Sequence, residues 1–494
     1  MSTLPFALKN PSLLRSEAYV NGQWVEAKLK KTFTIEDPGS GKTFATCSDL
    51  DAQDIDDAVH SSHEAFKLFR RESPRTRAEL LLEWRRLILG DRHDIATILS
   101  YETGKPFAEA LGEVDYSASF LSWFAGEAER IQGNVIVPAT SGRRILVVKQ
   151  PIGVCVALIP WNYPVGMFLR KVSAALAAGC SMVAKPSPET PLSTLALAHL
   201  AEKAGFAPGV LNVLTTSNEN TPALSEALCK HPLVQKVSFT GSSAVGSIIS
   251  RHCADGIKKL SLELGGNCPF IVFADANQDQ AIVQLSALKF RHAGQACVTA
   301  NRIYVHEDIY DDFVVKMVDY AKSLKVGHGS DSSVAMGPLT TSRGVEKAKH
   351  QVQDAVQKGA KVVHGGKSIQ GGNYFEPTVI RDMGANMLIT HEESFAPIAA
   401  LYKFKTEEEV VRLANDTSMG LASYVFTKDI DRTWRMMESL EAGMIGVNTG
   451  ASSAAESPFG GMKMSGYGKE SGKDVAIDEY LVSKTCTLTL EGTS

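Results

Sequence analysis

Gln295-Ala296-Cys297-Val298-Thr299 offers one thiol at the end of an expected helix, and 34 residues upstream of that thiol lies the carboxylate of Glu263-Leu264-Gly265-Gly266-Asn267. Such a pair can perform nucleophilic catalysis. A free thiol has a pKa near 8.5, so attack on a carbonyl needs a neighbour to take the proton, and cleavage of the resulting acyl group needs one to activate water. Taken singly, each residue has a plainer reading: cysteine is often an inert core residue, and a lone glutamate a solvated charge at a strand end. Asn162, in Pro160-Trp161-Asn162-Tyr163-Pro164, is either a turn residue or an amide donor to an oxyanion, which the Cys297 backbone N–H would also serve. Gly265-Gly266 beside the carboxylate implies close backbone approach or positive φ at a pocket wall.

Those groups must be positioned by the elements between and around them. The spacing leaves room for a turn, a short buried strand from Pro269 to Phe273 and a helix from about Gln278 to Arg291. Upstream, strands at Ile152 to Ile159, Met182 to Ala184, Leu211 to Leu214, Val234 to Phe239 and Lys258 to Leu262 alternate with helices near Val165 to Ala178, Pro191 to Ala204, Ala223 to Leu228 and Ala244 to His252. This alternation predicts an α/β fold with a parallel sheet that holds dinucleotides at strand C-termini. No GxGxxG fingerprint is present. Gly241 and Gly246 have P-loop spacing, but Ser247 stands where a lysine is required, which disfavours a nucleotide triphosphatase. Phe239-Thr240-Gly241-Ser242 closes a strand and opens a helix, and so reads as an ordinary N-cap or as a phosphate site.

Asn21-Gly22 marks a hairpin within Ala18 to Ala27. From Asp51, a candidate N-cap, to about Gly133 apolar residues recur at helical spacing through Ala58, Ala65, Phe66, Phe69, Leu80, Leu81, Trp84, Leu87 and Ile88. These read as packing helices with no chemistry. Arg143 to Val148 is a further strand, with Lys149-Gln150-Pro151 as a break. A second alternating set follows Cys297, with strands near Arg302 to Val305, Lys361 to Val363 and Ile398 to Phe404 and helices near Ile309 to Leu324 and Val345 to Lys358; Glu407 to Ala414, Ile430 to Ser439 and Met444 to Asn448 continue the pattern. The tail from Ala476 to Leu490 ends as an exposed strand that needs a covering subunit.

At 494 residues the chain exceeds one compact core, and its net charge of −4 gives no electrostatic reason for nucleic acid or an anionic membrane as partner. No apolar run reaches a membrane span, and no secretory signal is evident. Eight cysteines without regular spacing or a CxxC pair argue against a disulfide framework and a metal site, and favour a reducing, cytoplasmic setting.

With Glu392-Glu393-Ser394-Phe395 and Pro458-Phe459-Gly460-Gly461 added to the motifs above, the chain resembles the aldehyde dehydrogenase superfamily from about Ala18 to Thr487. The resemblance implies a Rossmann-type cofactor domain (residues 1–134 and 154–265), an α/β catalytic domain (266–474) and a small β oligomerisation arm (135–153 and 475–494), assembled as a homodimer or homotetramer. It implies that Cys297 forms a thiohemiacetal and then a thioester, with Glu263 as base and Asn162 at the oxyanion. Ile159, Pro160, Trp161 and Leu264 would line a dinucleotide, Gly241 and Ser242 would meet its pyrophosphate, Glu393 and Phe395 its nicotinamide end, and Lys185 its adenosine ribose. Where NAD-preferring members carry a glutamate, this chain has Pro188, with Glu189 one place further. Lys185 and Ser187 are then free to bind a 2′-phosphate, so NADP is favoured over NAD, or both serve. Ala396 replaces a usual glycine. Arg170, Arg291 and Ser453 fall where succinate-semialdehyde dehydrogenases hold the distal carboxylate, which makes succinic semialdehyde the expected small-molecule aldehyde. Bulky Tyr163, Met167, Phe168 and Leu169 leave another ω-oxo acid or an aliphatic or aromatic aldehyde open. Thr299 stands where some of these enzymes carry a second, redox-active cysteine. A cofactor-independent cysteine hydrolase or acyltransferase is the remote alternative; it lacks a group to orient His292.

Overall fold

A computed structural model describes residues 4–491; the outermost residues of the expected first domain and of the arm lie outside it. One sheet has the strand order Gln23–Val25, Ala18–Val20, Leu211–Val213, Ser181–Lys185, Val154–Leu158, Val234–Thr240, Lys259–Glu263, Gly466–Tyr467. Its five central strands are parallel. Val154–Leu158 and Ser181–Lys185 are buried at every residue, as a sheet covered on both faces requires. After the edge hairpin (residues 18–25), the parallel part of that sheet starts in its middle, at Val154–Leu158, and builds outward first on one side and then on the other. The crevice between Val154–Leu158 and Val234–Thr240 is therefore a topological switch point, the place where such sheets bind ligands.

Helices Pro164–Ala178 and Pro191–Ala204 cover one face and are backed by Pro74–Gly90, Arg92–Thr103 and Phe107–Ala128. A second sheet runs Lys361–His364, Thr378–Arg381, Ile398–Phe404, Ala300–His306, Cys268–Val272, Ala422–Phe426, Met444–Val447, parallel except at the Lys361–His364 edge. Strands Leu481–Thr489, Arg143–Pro151 and Asn134–Ile136 form a separate antiparallel arm. Among the described residues no helix is long and apolar enough to cross a membrane.

The sequence reading and the structure differ in instructive places. Lys149-Gln150-Pro151 is not a break but the end of strand Arg143–Pro151; Pro151 faces only Leu481, so its missing N–H leaves no ladder bond unmade, and the chain turns at Gly153, φ +138°. The first helix begins at Ile55, not after Asp51, because Asp54 accepts from Lys28 N and Asp51 N and holds the preceding turn. The tail is helical at Lys473–Asp478 before its strand starts. Asp56, His60 and His231, unconnected by any spacing rule, come within 4.8 Å of one another. Leu233 N–H donates to His231 Nδ1 (3.2 Å), which leaves Nε2 to donate to Asp56 (3.4 Å) rather than to ligate.

Candidate active site

The helix expected to reach Arg291 stops at Lys289, and the thiol lies not on a helix but in the turn before strand Ala300–His306. Between them His292, Ala293 and Gly294 are all left-handed, with φ of 48°, 52° and 77°. Left-handed non-glycine residues are strained and persist only where their surroundings hold them. Here Glu109 accepts from His292 N (2.8 Å), and Gln295 Nε2 donates to His292 O (3.0 Å) while its Oε1 accepts from Thr340 N (2.9 Å). A side chain at Gly294 would collide with Ala396 O. The turn delivers Cys297 Sγ to 3.0 Å from Glu263 Oε1, and Thr240 Oγ1, in register on the neighbouring strand, donates to Glu263 Oε2 (3.1 Å).

Cys297 is partly exposed at the cavity floor, yet the atoms around Sγ desolvate a thiolate. Burial first, then the Glu263 carboxylate, push its pKa well above the ordinary range. Burial, with the charge of Glu470, also raises Glu263, against Arg170 and Lys171. The resting pair is thus a neutral thiol donating to a carboxylate whose proton affinity is enhanced. Gly265 and Gly266 have no positive φ; the second needs its missing side chain because Cys297 O occupies that space. Thr299 is buried and donates to Leu288 O (2.8 Å).

Asn162 Nδ2 donates to Gln295 O (3.1 Å), which puts the amide against the nucleophile's own segment with one N–H left over. Its carbonyl accepts from Lys105 Nζ (2.9 Å), and Lys105 is ion-paired with buried Glu113. Glu113 Oε1 in turn accepts from Val165 N (3.1 Å) and Gly166 N (3.2 Å), capping the helix that carries Arg170. The helical region read as bland packing therefore supplies Lys105, Glu109, Glu113 and Tyr116. A signal was present: Glu109, Gly112, Glu113 and Tyr116 recur at three and four positions on the otherwise apolar helix Phe107–Ala128.

These residues wall a cavity of ≈ 330 Å³ that also holds Cys297, Tyr163, Met167, Arg170, Arg291, Ser453 and Phe459. Arg170 is 2% exposed; its Nη2 donates to Tyr116 OH (2.9 Å) and Ser453 Oγ (3.4 Å), and its guanidinium lies 4.0 Å from the Phe459 ring centre. Arg291 is exposed to the cavity, 5.8 Å from the Tyr163 ring, and makes no hydrogen bond or ion pair among the described residues. Behind Arg170, Lys171 pairs with Glu470 and donates to Ser238 Oγ (3.1 Å), a buried network that no sequence spacing suggested. His292 is 1% exposed, its pKa driven far down by burial, and its Nε2 has no partner; it is not placed as a base for Cys297.

Ile159, Lys185, Gly241 and Leu264 sit at the C-terminal ends of four parallel strands, as dinucleotide chemistry requires. Ile159 N donates to Lys185 O (3.0 Å) and Gly241 N to Glu263 O (3.1 Å). Ser242 Oγ accepts from Val245 N (3.3 Å), capping the 12-residue helix Ser243–Ala254. Lys185 Nζ, 5% exposed, has no hydrogen-bond partner, and burial lowers its pKa to about 8. An ammonium with no hydrogen bond among the described residues, at the same sheet edge as a helix N-terminus, suits an anionic, hydroxyl-bearing ligand. Glu393 Oε1 accepts from Gly266 N (3.1 Å) and is raised to about 7 by burial. Phe395, at φ 52°, meets Trp161 edge to face at 5.7 Å. Ser187 Oγ donates to Glu189 (2.5 Å), so this hydroxyl is not free as expected. Glu189 turns toward Asn218 (3.2 Å) and Arg343 (3.7 Å). Pro188 borders a surface groove with them, and the Ala396 methyl is fully buried in the second core.

The family model for the aldehyde dehydrogenase family matches residues 24–486. A 3-sulfolactaldehyde dehydrogenase of Pseudomonas putida is 46% identical over 97% of this chain and 98% of its own length. Succinate-semialdehyde dehydrogenase [NADP(+)] 1 of Schizosaccharomyces pombe is 47% identical, covering 96% and 95%. Among solved structures, succinate-semialdehyde dehydrogenase from Burkholderia pseudomallei superposes with a TM-score of 0.96 at 44% identity over 98% of this chain and 100% of that one. An E. coli NADP dependent enzyme gives 0.96 at 43% identity over 98% and 100%.

Proposed function

Since the chain belongs to the aldehyde dehydrogenase family and so oxidises aldehydes to carboxylic acids with NAD(P), we propose that its substrate is a short aldehyde with a distal anion, succinic semialdehyde foremost. The observation that carries this reading is Arg291, a cation open to the Cys297 cavity and in no ion pair among the described residues, with Arg170, Tyr116 and Ser453 joined in the same wall. A guanidinium matches a carboxylate in a bidentate geometry. It matches a sulfonate too, and the likeness to a 3-sulfolactaldehyde dehydrogenase makes a sulfonated aldehyde the second reading.

In this mechanism Glu263 Oε1 takes the thiol proton as Sγ attacks the aldehyde carbon. Asn162 Nδ2 and the Cys297 N–H hold the oxyanion. When bound, the nicotinamide supplies the hydride acceptor. Glu263, once it has passed the thiol proton to solvent, removes a proton from the water that cleaves the Cys297 thioester. Lys185 and the N-terminus of helix Ser243–Ala254 would hold the adenosine end of the cofactor, and Glu393, Phe395 and Trp161 its nicotinamide end. NADP is favoured, because Lys185 is unpaired and Pro188 offers no carboxylate to repel a 2′-phosphate.

Following reduced-cofactor absorbance with each nicotinamide, over succinic semialdehyde, a sulfonated aldehyde and neutral aldehydes of similar size, tests the reading. Arg291→Ala is expected to raise KM for the anionic substrates about 10- to 100-fold, from the roughly 1.5–3 kcal/mol of a charged hydrogen bond. Neutral substrates should change little. Equal effects on both would remove the anion clamp.

We further propose a homodimer or homotetramer, in the cytoplasm, assembled through the arm. Val135 and Val137 are 71% and 69% exposed on it, and eight unpaired cysteines suit a reducing compartment. Val135→Lys with Val137→Lys should lower the mass measured by light scattering, whereas an unchanged mass would move the interface elsewhere.

A further inference from the structure

We propose that the cavity at the root of the arm is a binding site for a multivalent phosphate, separate from the catalytic cleft. It measures ≈ 690 Å³ and lies where helix Ile55–Phe69 ends, helix Pro74–Gly90 begins, and strands Arg143–Pro151 and Leu481–Thr489 leave the body of the protein. Lys67, Arg70, Arg71, Arg77 and Lys149 stand in its wall, against the single carboxylate of Glu72.

A basic face is often no more than a solvated surface, and part of this one is already neutralised. Lys67 pairs with Glu64 (2.6 Å) and Lys149 with Asp478 (2.6 Å), while Arg70 lies 5.1 Å from the Phe66 ring. Arg71 and Arg77 have no carboxylate partner among the described residues. Arg77 separates this cavity from an ordinary surface, because it is only 6% exposed. Its Nε donates to Ala177 O (3.0 Å) and its Nη1 to Glu72 O (2.6 Å), and Nη2 has no protein partner. The first bond places the cation at the C-terminal end of helix Pro164–Ala178, whose dipole offsets part of the charge. Carbonyls do not replace a counter-ion, and burial accordingly lowers the pKa of Arg77. Gly179, at φ +91°, ends that helix next to Arg77.

Guanidinium forks spread around a cavity too large for one small ion fit an oligophosphate, whose several oxygens reach more than one of them. An anion held there would tie the helical layer to both arm strands, so binding should also stabilise the arm.

The test is calorimetric titration of inorganic tripolyphosphate into the full-length protein, at low ionic strength and with the catalytic cleft saturated by the cofactor that supports turnover. One site per chain is expected, with a rise in melting temperature. Arg71→Glu should weaken binding at least about tenfold while leaving aldehyde turnover unchanged. Arg77→Met should weaken it as much or more; Arg70→Ser, a second surface variant, should weaken it less and keeps the test intact if Arg77→Met does not fold. Absence of binding, undiminished affinity in Arg71→Glu, or equal stabilisation by sodium chloride at matched ionic strength would each overturn the proposal.

Discussion

Cys297→Ala is expected to lower turnover of every aldehyde by about 10⁴-fold or more, with cofactor affinity unchanged. No other thiol is placed to substitute. Cys268 is buried, donates to Cys297 O (3.5 Å) and is raised to about 12 by burial, while Cys486 lies exposed on the arm strand. The variant leaves Glu263, Asn162 and the strand ends in place, so a cofactor titration followed by fluorescence should superimpose on that of the parent. The size of the expected loss follows from removing the nucleophile that captures the aldehyde carbon. Its thiolate hardly exists at neutral pH unless Glu263 takes the proton, so neither partner acts without the other. Oxidation persisting in the variant would remove Cys297 from the mechanism.

What was legible in the sequence divides along physical lines. Parallel strands buried on both faces are short apolar runs, and Pro191 at the first turn with Gly205 just past the last marks the helix after Ser181–Lys185, so Pro191–Ala204 was readable to the residue. The thiol and carboxylate were readable because motifs preserve local backbone geometry: glycines where Cys297 O crosses, a strand end at Glu263. The supporting charges were not, since they act across the chain. Glu113 caps a helix 52 positions away, and Glu470 meets Lys171 across 299. A capping carboxylate borrowed from another helix leaves no signature in the segment it caps. The left-handed turn at His292-Ala293 was equally hidden, because it is imposed by Glu109 and Thr340 rather than by local preference. Arg170-Lys171, two adjacent cations on a wholly buried helix, was the one clue that a carboxylate waited elsewhere.

Glu263→Gln should slow both capture of the aldehyde and release of the acid, since one carboxylate serves the thiol and the water. The amide keeps an oxygen to accept from Thr240 Oγ1, so the strand end is retained, but it cannot take a proton from water. Loss of a general base typically costs about 10²–10⁴-fold, and the loss is expected in the first turnover as well as in kcat, with no rapid burst of reduced cofactor. The pH dependence follows from the environment of the carboxylate. Burial raises its pKa, the charge of Glu470 adds to the rise, and Arg170 and Lys171 oppose it. A raised carboxylate pKa means that the base form is present above that pKa and is lost as pH falls through it. The acid limb of kcat should therefore lie above the ordinary carboxylate range, near 4.3, and should vanish in Glu263→Gln. Stopped-flow measurement of the first turnover, beside the pH profile, decides the matter. If the variant keeps both the limb and a full rapid burst, the group that titrates is not Glu263, and the thiol and the water are activated from another direction.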